Sequence, residues 1–204
     1  MATFGEIQDN IASYLNRSDL TATIKLAVQR AVKYYENIPF WFNEANDSFV
    51  TVSGTKYYTL SATVGYSKIN QVMLTYNGSR FEVSEKNSEE LEALDPTQLR
   101  GQPLWYAQFN GGIFFYPIPS GSYTVSYNYI VKTATLSAST DSNIWTTNAE
   151  DLIEARSMWF VASRRMRNPT LAQSAKADEI EALRNLTEES TDKMASGKLT
   201  ATNF

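Results

Sequence analysis

The stretch SEKNSEELEALD concentrates carboxylates: Glu85, Glu89, Glu90, Glu92 and Asp95. A glycosidase needs two carboxyls about 5–10 Å apart across a cleft. This spacing supplies no such pair, because Glu89, Glu90 and Glu92 fall on successive sides of a short helix, as on a solvated face. Other chemistries are removed by composition. The chain has no histidine and no cysteine, which excludes Ser-His-Asp and Cys-His nucleophiles, thiolate chemistry and nearly all zinc or copper sites. Neither a D-x-D-x-D-G loop, a G-x-G-x-x-G turn nor a G-x-x-x-x-G-K-[ST] loop occurs, so nucleotide binding has no support. Carboxylate, lysine or tyrosine chemistry and oxygen-ligated Mg²⁺ or Ca²⁺ remain open. No catalytic residue, metal site or cofactor is assigned.

Two further groups could make contacts. ARSMWFVASRRMRNP places Arg156, Arg164, Arg165 and Arg167 near a helix end. Positive charge there complements the helix dipole, but four arginines exceed what one end requires. The alternative is contact with DNA phosphate or an acidic neighbouring subunit. The segment GGIFFYPIPSGSYTVSYNYIV, residues 111–131, holds the rings of Phe114, Phe115, Tyr116, Tyr123, Tyr127 and Tyr129. A stacking platform would flank such rings with Lys and Arg on a solvent face, and neither residue occurs there. Tyr123, Val125, Tyr127, Tyr129 and Val131 alternate with Thr124, Ser126, Asn128 and Ile130, which predicts a half-buried antiparallel strand with the first set inside. Pro119, Ser120 and Gly121 are expected as an exposed turn between two packed strands, a candidate partner contact. Phe40-Trp41-Phe42, directly after a helix, is read as core at a hinge rather than as an exposed anchor.

The elements that must position these residues read helix, helix, a long β region, helix, helix. TFGE has the form of a capping box at Thr3 and Glu6, followed by Phe4, Ile7, Ile11 and Leu15 on one stripe. Ser18 or Asp19 is available to cap a second helix, about Leu20 to Asn37, whose Ile24, Ala27, Val28, Ala31, Val32, Tyr35 and Ile38 make a wide apolar face. Pro39 stops it. From Phe40 to about Lys132 the period is two, with hairpins expected at Ser53-Gly54, Asn77-Gly78, Asn110-Gly111-Gly112 and Pro119-Ser120-Gly121. A short helix, NSEELEAL, interrupts them, with Asn87 or Ser88 as cap. After the polar connection SASTDSNIWTTNAED, Asn148 is expected to cap a third helix with Leu152, Ala155, Trp159, Ala162 and Met166 on one face. Asn168-Pro169 starts a fourth, to about Glu189, with Leu171, Ala172, Ala175, Leu183 and Leu186 as its stripe.

The fold class expected is α+β: a split four-helix bundle (residues 1–39 and 146–196) with an inserted antiparallel β sandwich or barrel (40–145) and a flexible tail (197–204). At 204 residues and 43% hydrophobic content the chain can bury such a core. Its net charge of −4 argues against a dedicated nucleic-acid binder. No apolar run approaches a membrane span and MATFGEIQDN lacks a signal-peptide core, so a cytosolic origin without membrane contact is expected.

This layout resembles the head-to-tail adaptor proteins of tailed bacteriophages, short-tailed phages especially. YLNRSDLTATIKLAVQRAVKYYENIPFWF is similar to that family's opening: a short helix, an R/S-D-L break, a long helix and an aromatic knot. QPLWYAQFNGGIFFYPIPSGSYTVSYNYIVKTATLS resembles its β segment, with an aromatic-Pro-x-Pro turn before a Tyr-rich strand. IWTTNAEDLIEARSMWFVASRRMRNPTLAQSAKADEIEALRNL resembles its closing helix pair. The resemblance covers about residues 3 to 190 and implies a structural protein of the virion neck, assembled in the host cytoplasm. It implies a ring, normally of twelve copies, between the portal protein and the tail nozzle or tail fibres, with DNA passing through unbound. It further implies that a C-terminal tail, here Lys198, Leu199, Thr200, Ala201, Thr202, Asn203 and Phe204, reaches the portal or a neighbour. Asp178, Glu179, Glu181, Glu188 and Glu189 are candidates for a channel lining or for pairs between subunits. The alternative is a cell-wall-degrading carboxylate glycosidase or a sugar-binding β module.

Overall fold

A computed structural model describes residues 2–60, 66–94 and 97–195. Asp95 and the tail candidates Lys198 to Phe204 lie outside the described residues. Within them the chain up to Asn43 and from Thr133 onward forms one compact unit, and Glu44–Lys132 a second. The protein is mixed α+β, with six α-helices and mainly antiparallel sheets among the described residues.

In the first unit, α1 (Phe4–Tyr14) carries the expected capping box. The Thr3 hydroxyl accepts the Glu6 N–H at 3.2 Å, and the Glu6 carboxylate accepts the Thr3 N–H at 2.7 Å. The next helix, α2 (Thr21–Tyr35), is shorter than expected at both ends and has Leu20 at its N-cap, without a side-chain cap. Ser18 and Asp19 do not cap it, because Asp19 pairs with Arg17 at 2.6 Å and the Ser18 carbonyl accepts from Thr21. That bond to Arg17 holds the Asp19 carboxyl down to about 2.

The presumed polar connection before the third helix contains a helix of its own. After α3 (Ser88–Leu94) in the second unit comes α4 (Ile144–Asn148), capped by Asn143, whose side chain accepts from Trp145 and Thr146 while Thr146 reciprocates. Asn148 therefore ends a helix rather than capping the next, and its amide donates to the Ile144 carbonyl at 2.8 Å. A break at Ala149 (φ −140°, ψ 36°) precedes α5 (Glu150–Phe160), which widens into a π-helical stretch, Val161–Met166. Arg167 closes that stretch at φ 52°, and Asn168 caps α6 (Pro169–Ala195) by accepting the Leu171 N–H at 3.1 Å. At 27 residues α6 runs past the expected end at Glu189.

These helices share one core around Trp145, which is wholly buried against the rings of Tyr35, Phe40 and Phe42. The burial of Phe40 agrees with the core reading, whereas Trp41 and Phe42 are half-buried.

The second unit holds β1 (Glu44–Val50), β2 (Tyr57–Thr59), β3 (Tyr66–Tyr76), β4 (Ser79–Glu82), β5 (Ser84–Glu85), β6 (Arg100–Gly101), β7 (Trp105–Phe109), β8 (Gly112–Tyr116), β9 (Ile118–Pro119) and β10 (Thr124–Val131). They form sheets of order β1-β10-β3-β4 and β2-β8-β7-β5 and a parallel pair β6-β9. Both Asn-Gly hairpins occur, the second as a two-residue turn because Gly112 belongs to β8 and pairs with Phe109. Asn77-Gly78 joins β3 to β4, Asn110-Gly111 joins β7 to β8, and both residues of each turn have positive φ, as a type I′ turn requires.

The other two expected hairpins do not form. β1 pairs with β10 and β2 with β8, so Ser53-Gly54 is a crossing between sheets. β8 and β10 also lie in different sheets, so Pro119-Ser120-Gly121 lies at another crossing. The two crossings bond to each other: Gly54 N–H to the Pro119 carbonyl at 2.8 Å and the Ser53 hydroxyl to the Ser120 carbonyl at 3.0 Å. Pairing with a sheet partner outcompetes local closure, because both strands carry a buried face.

Residues of both four-stranded sheets contribute to one core that includes Leu74, Tyr106, Phe115, Val125 and Tyr127. The alternation in β10 holds to Tyr127 and then flips, with Ile130 buried and Tyr129 and Val131 only half-buried. A register shift against β3 after Asn128 accounts for the change of face.

Candidate functional site

The expected basic and acidic candidates meet in the helical unit. Glu179, at 2% exposure, lies on the inner stripe of α6 among Ala172, Ala175 and Leu186. Its carboxylate accepts from the Tyr35 hydroxyl at 2.5 Å and the Arg156 guanidinium at 3.1 Å, and Lys176 lies 3.0 Å away. Arg156 stands over the rings of Tyr34 (3.8 Å) and Trp159 (4.5 Å), so two aromatic rings pack against its planar cation. Burial, reinforced by the bond to the Glu179 carboxylate, raises the Tyr35 hydroxyl well above the usual tyrosine range. Within one copy, Arg156 and Glu179 therefore satisfy each other. The signal was present in the sequence: an acid at the i+4 position after Ala175 on an otherwise apolar stripe.

The remaining candidates are exposed. Arg164 and Arg165 stand on the π-helical stretch and Arg167 on the turn after it. Asp178 and Glu181 project from α6 with no ion pair to either among the described residues. Glu188 pairs with Arg184 at 3.5 Å and Glu189 with Lys193 at 2.6 Å, while Lys193 also sits 3.4 Å from the Trp41 ring. Between α2 and α5 runs an open groove of about 490 Å³, where Arg30 and Tyr34 face Arg156, Trp159, Phe160 and Arg164. Arg30 and Tyr34 were not singled out from sequence, because each reads as the polar flank of an amphipathic helix.

In the second unit the carboxylates do not converge. Glu92 pairs with Lys56 at 3.0 Å and Glu90 with Lys86 at 3.5 Å. Glu89 and Glu92 instead border an open cavity of about 640 Å³ with Lys56, Tyr57, Phe109 and Phe114. Of the candidate turn, Pro119 is buried and pairs with Gly101, Gly121 is half-buried and its carbonyl accepts from Thr51, and Ser120 is exposed. Among the described residues no three acids group to hold a metal ion, and no helix is long and apolar enough to cross a membrane.

The geometry is thus one of packed ion pairs and exposed charged faces, suited to contact with macromolecules. No curated protein matches the chain. The family model of the SU10 adaptor protein matches residues 2–201, which takes in both helical segments and the whole β region. The resemblance to phage head-to-tail adaptors drawn from residue order therefore holds, and the chain belongs to the SU10 adaptor protein family.

Proposed function

We propose that this protein is a non-catalytic structural adaptor of the phage neck, forming a ring of twelve copies that joins the portal protein to the tail nozzle and fibres. The observation that carries the reading is the match to an adaptor family over residues 2–201. In this reading α1, α2, α5 and α6 act as a split four-helix bundle around a DNA channel. The β unit is a sandwich offered to nozzle or fibre proteins, and its exposed Phe109 and Tyr57 beside α3 suit such a contact. Glu188 and Glu189, farther along α6, let DNA slide, since each retained phosphate contact would add salt-dependent affinity. The tail, Lys198 to Phe204, orders on the portal or on a neighbouring copy.

Light scattering of this protein mixed with the portal protein of the same phage tests the reading. A monomer or weak oligomer alone and a discrete ring-sized complex with portal are expected; absence of co-assembly refutes it. Deleting residues 197–204 is expected to weaken that complex, and unchanged affinity removes the tail from the account. Purified cell walls should lose no turbidity. Loss abolished by Glu90→Gln or Glu92→Gln would replace the structural reading with a hydrolytic one.

A further inference from the structure

We infer that copies of this chain join head to tail, with the outer face of α6 of one copy seated in the α2–α5 groove of the next. The inference rests on the ring reading above and names its contact surface. The charges are divided by element: the charged residues lining the groove are all basic, Arg30, Arg156 and Arg164, and Arg165 and Arg167 follow on the stretch after α5. By contrast α6 carries six acids against three bases. Glu179 is consumed inside the copy by Arg156 and Tyr35. The outer face of α6 is then led by Asp178 and Glu181, whose carboxylates have no ion pair among the described residues.

The groove and the ridge also match in polarity. Arg30 and Arg164 rim an aromatic floor of Tyr34, Trp159 and Phe160, and Arg30 already lies 5.0 Å from the Phe160 ring. Tyr34 is 58% exposed although its ring is packed against Arg156 on one side. On the ridge, Ile180 is 59% exposed on the flank opposite Asp178, and Ala177 between them allows close approach of a helix. An amphipathic helix with an apolar anchor and two carboxylates is the kind of ligand such a groove takes. Duplex DNA fits less well, because it offers phosphates but no apolar group for the aromatic floor. Since groove and ridge are different surfaces of the same chain, the contact is heterologous, the kind that a ring requires and a two-fold dimer does not use.

Two charge-reversed chains test this: Arg30→Glu with Arg164→Glu, and Asp178→Arg with Glu181→Arg. All four residues are exposed, so melting curves close to wild type are expected. Each variant alone, mixed with the portal protein, should assemble at least about tenfold more weakly than wild type. An equimolar mixture of the two should recover assembly, because both kinds of contact again join opposite charges, and native mass spectrometry should find equal numbers of each. Wild-type assembly by either variant alone, or a mixture as weak as its components, overturns the contact. So does a groove variant that loses only affinity for duplex DNA. Failure of the wild-type chain to assemble on portal refutes the ring reading itself.

Discussion

Replacing Glu179 with alanine should destabilise the helical unit by about 3–4 kcal/mol, as expected for removing one partner of a buried ion pair. The carboxylate is 2% exposed and serves three donors of unequal value. Arg156 and Tyr35 are the costly ones. Without Glu179 the guanidinium, 16% exposed, keeps only the faces of Tyr34 and Trp159, and the Tyr35 hydroxyl loses a charge-assisted bond. At 16% exposure the guanidinium still reaches some water, which places the estimate below the top of the usual range. Lys176 adds little, since at 43% exposure it reaches water and an exposed pair is worth about 0.2–1 kcal/mol. Glu179→Gln keeps the shape and one acceptor, so a cost of about 1–2 kcal/mol is expected. Urea unfolding followed by the helical circular dichroism signal measures both. Pairing Glu179→Leu with Arg156→Met should recover most of the loss, because it removes both charges together. A Glu179→Ala protein within about 1 kcal/mol of wild type would refute the assignment of Glu179 as the buried counter-ion.

Other outcomes follow from the same geometry. The Tyr35 and Tyr106 hydroxyls are both raised, chiefly by burial, so the stability they contribute is complete below the unfolded tyrosine value near pH 10 and declines as pH rises above it. Unfolding midpoints between pH 8 and pH 11 should show this, and Tyr35→Phe should flatten the decline. Trp145→Ala should cost about 3–5 kcal/mol, because the ring is wholly buried among Tyr35, Phe40 and Phe42, and thermal unfolding checks it. Gly112→Ala should destabilise the β unit by about 1–3 kcal/mol, since a Cβ there would meet the Tyr58 carbonyl and the Tyr57 hydroxyl. Asp141 should titrate below the usual carboxylate range, because the Ser137 and Ala138 N–H groups donate to it at 2.7 Å. A pH series of NMR spectra in which it titrates normally would contradict that loop geometry.

What local chemistry specifies was legible in the residues. The Thr3–Glu6 box, the Asn168-Pro169 start and both Asn-Gly turns are satisfied within a few residues of chain, so their residue types suffice. The family was legible for a related reason, because it is carried by the order of such signals along the chain. Alpha4 was missed because its signal, Asn143 with Thr146, sits in a run of polar residues that also suits a loop, and only the burial of Trp145 makes it a helix. Charge candidates were found as residue types but not as pairs: Arg156 and Glu179 lie on separate helices, and sequence proximity says nothing of which acid turns inward.

Residue order by itself determined the mixed α+β class, the starts of α1 and α6, the two Asn-Gly turns and the adaptor family, since each depends on spacing within a short window. Tertiary structure alone decided that Ser53-Gly54 and Pro119-Ser120-Gly121 cross between sheets, that β10 changes face after Asn128, and that Glu179 is an internal counter-ion while Asp178 and Glu181 stay exposed. The physical reason is common to all three. Strand pairing and charge burial are settled by partners distant in the chain, whose competing free energies exist only once the core has closed.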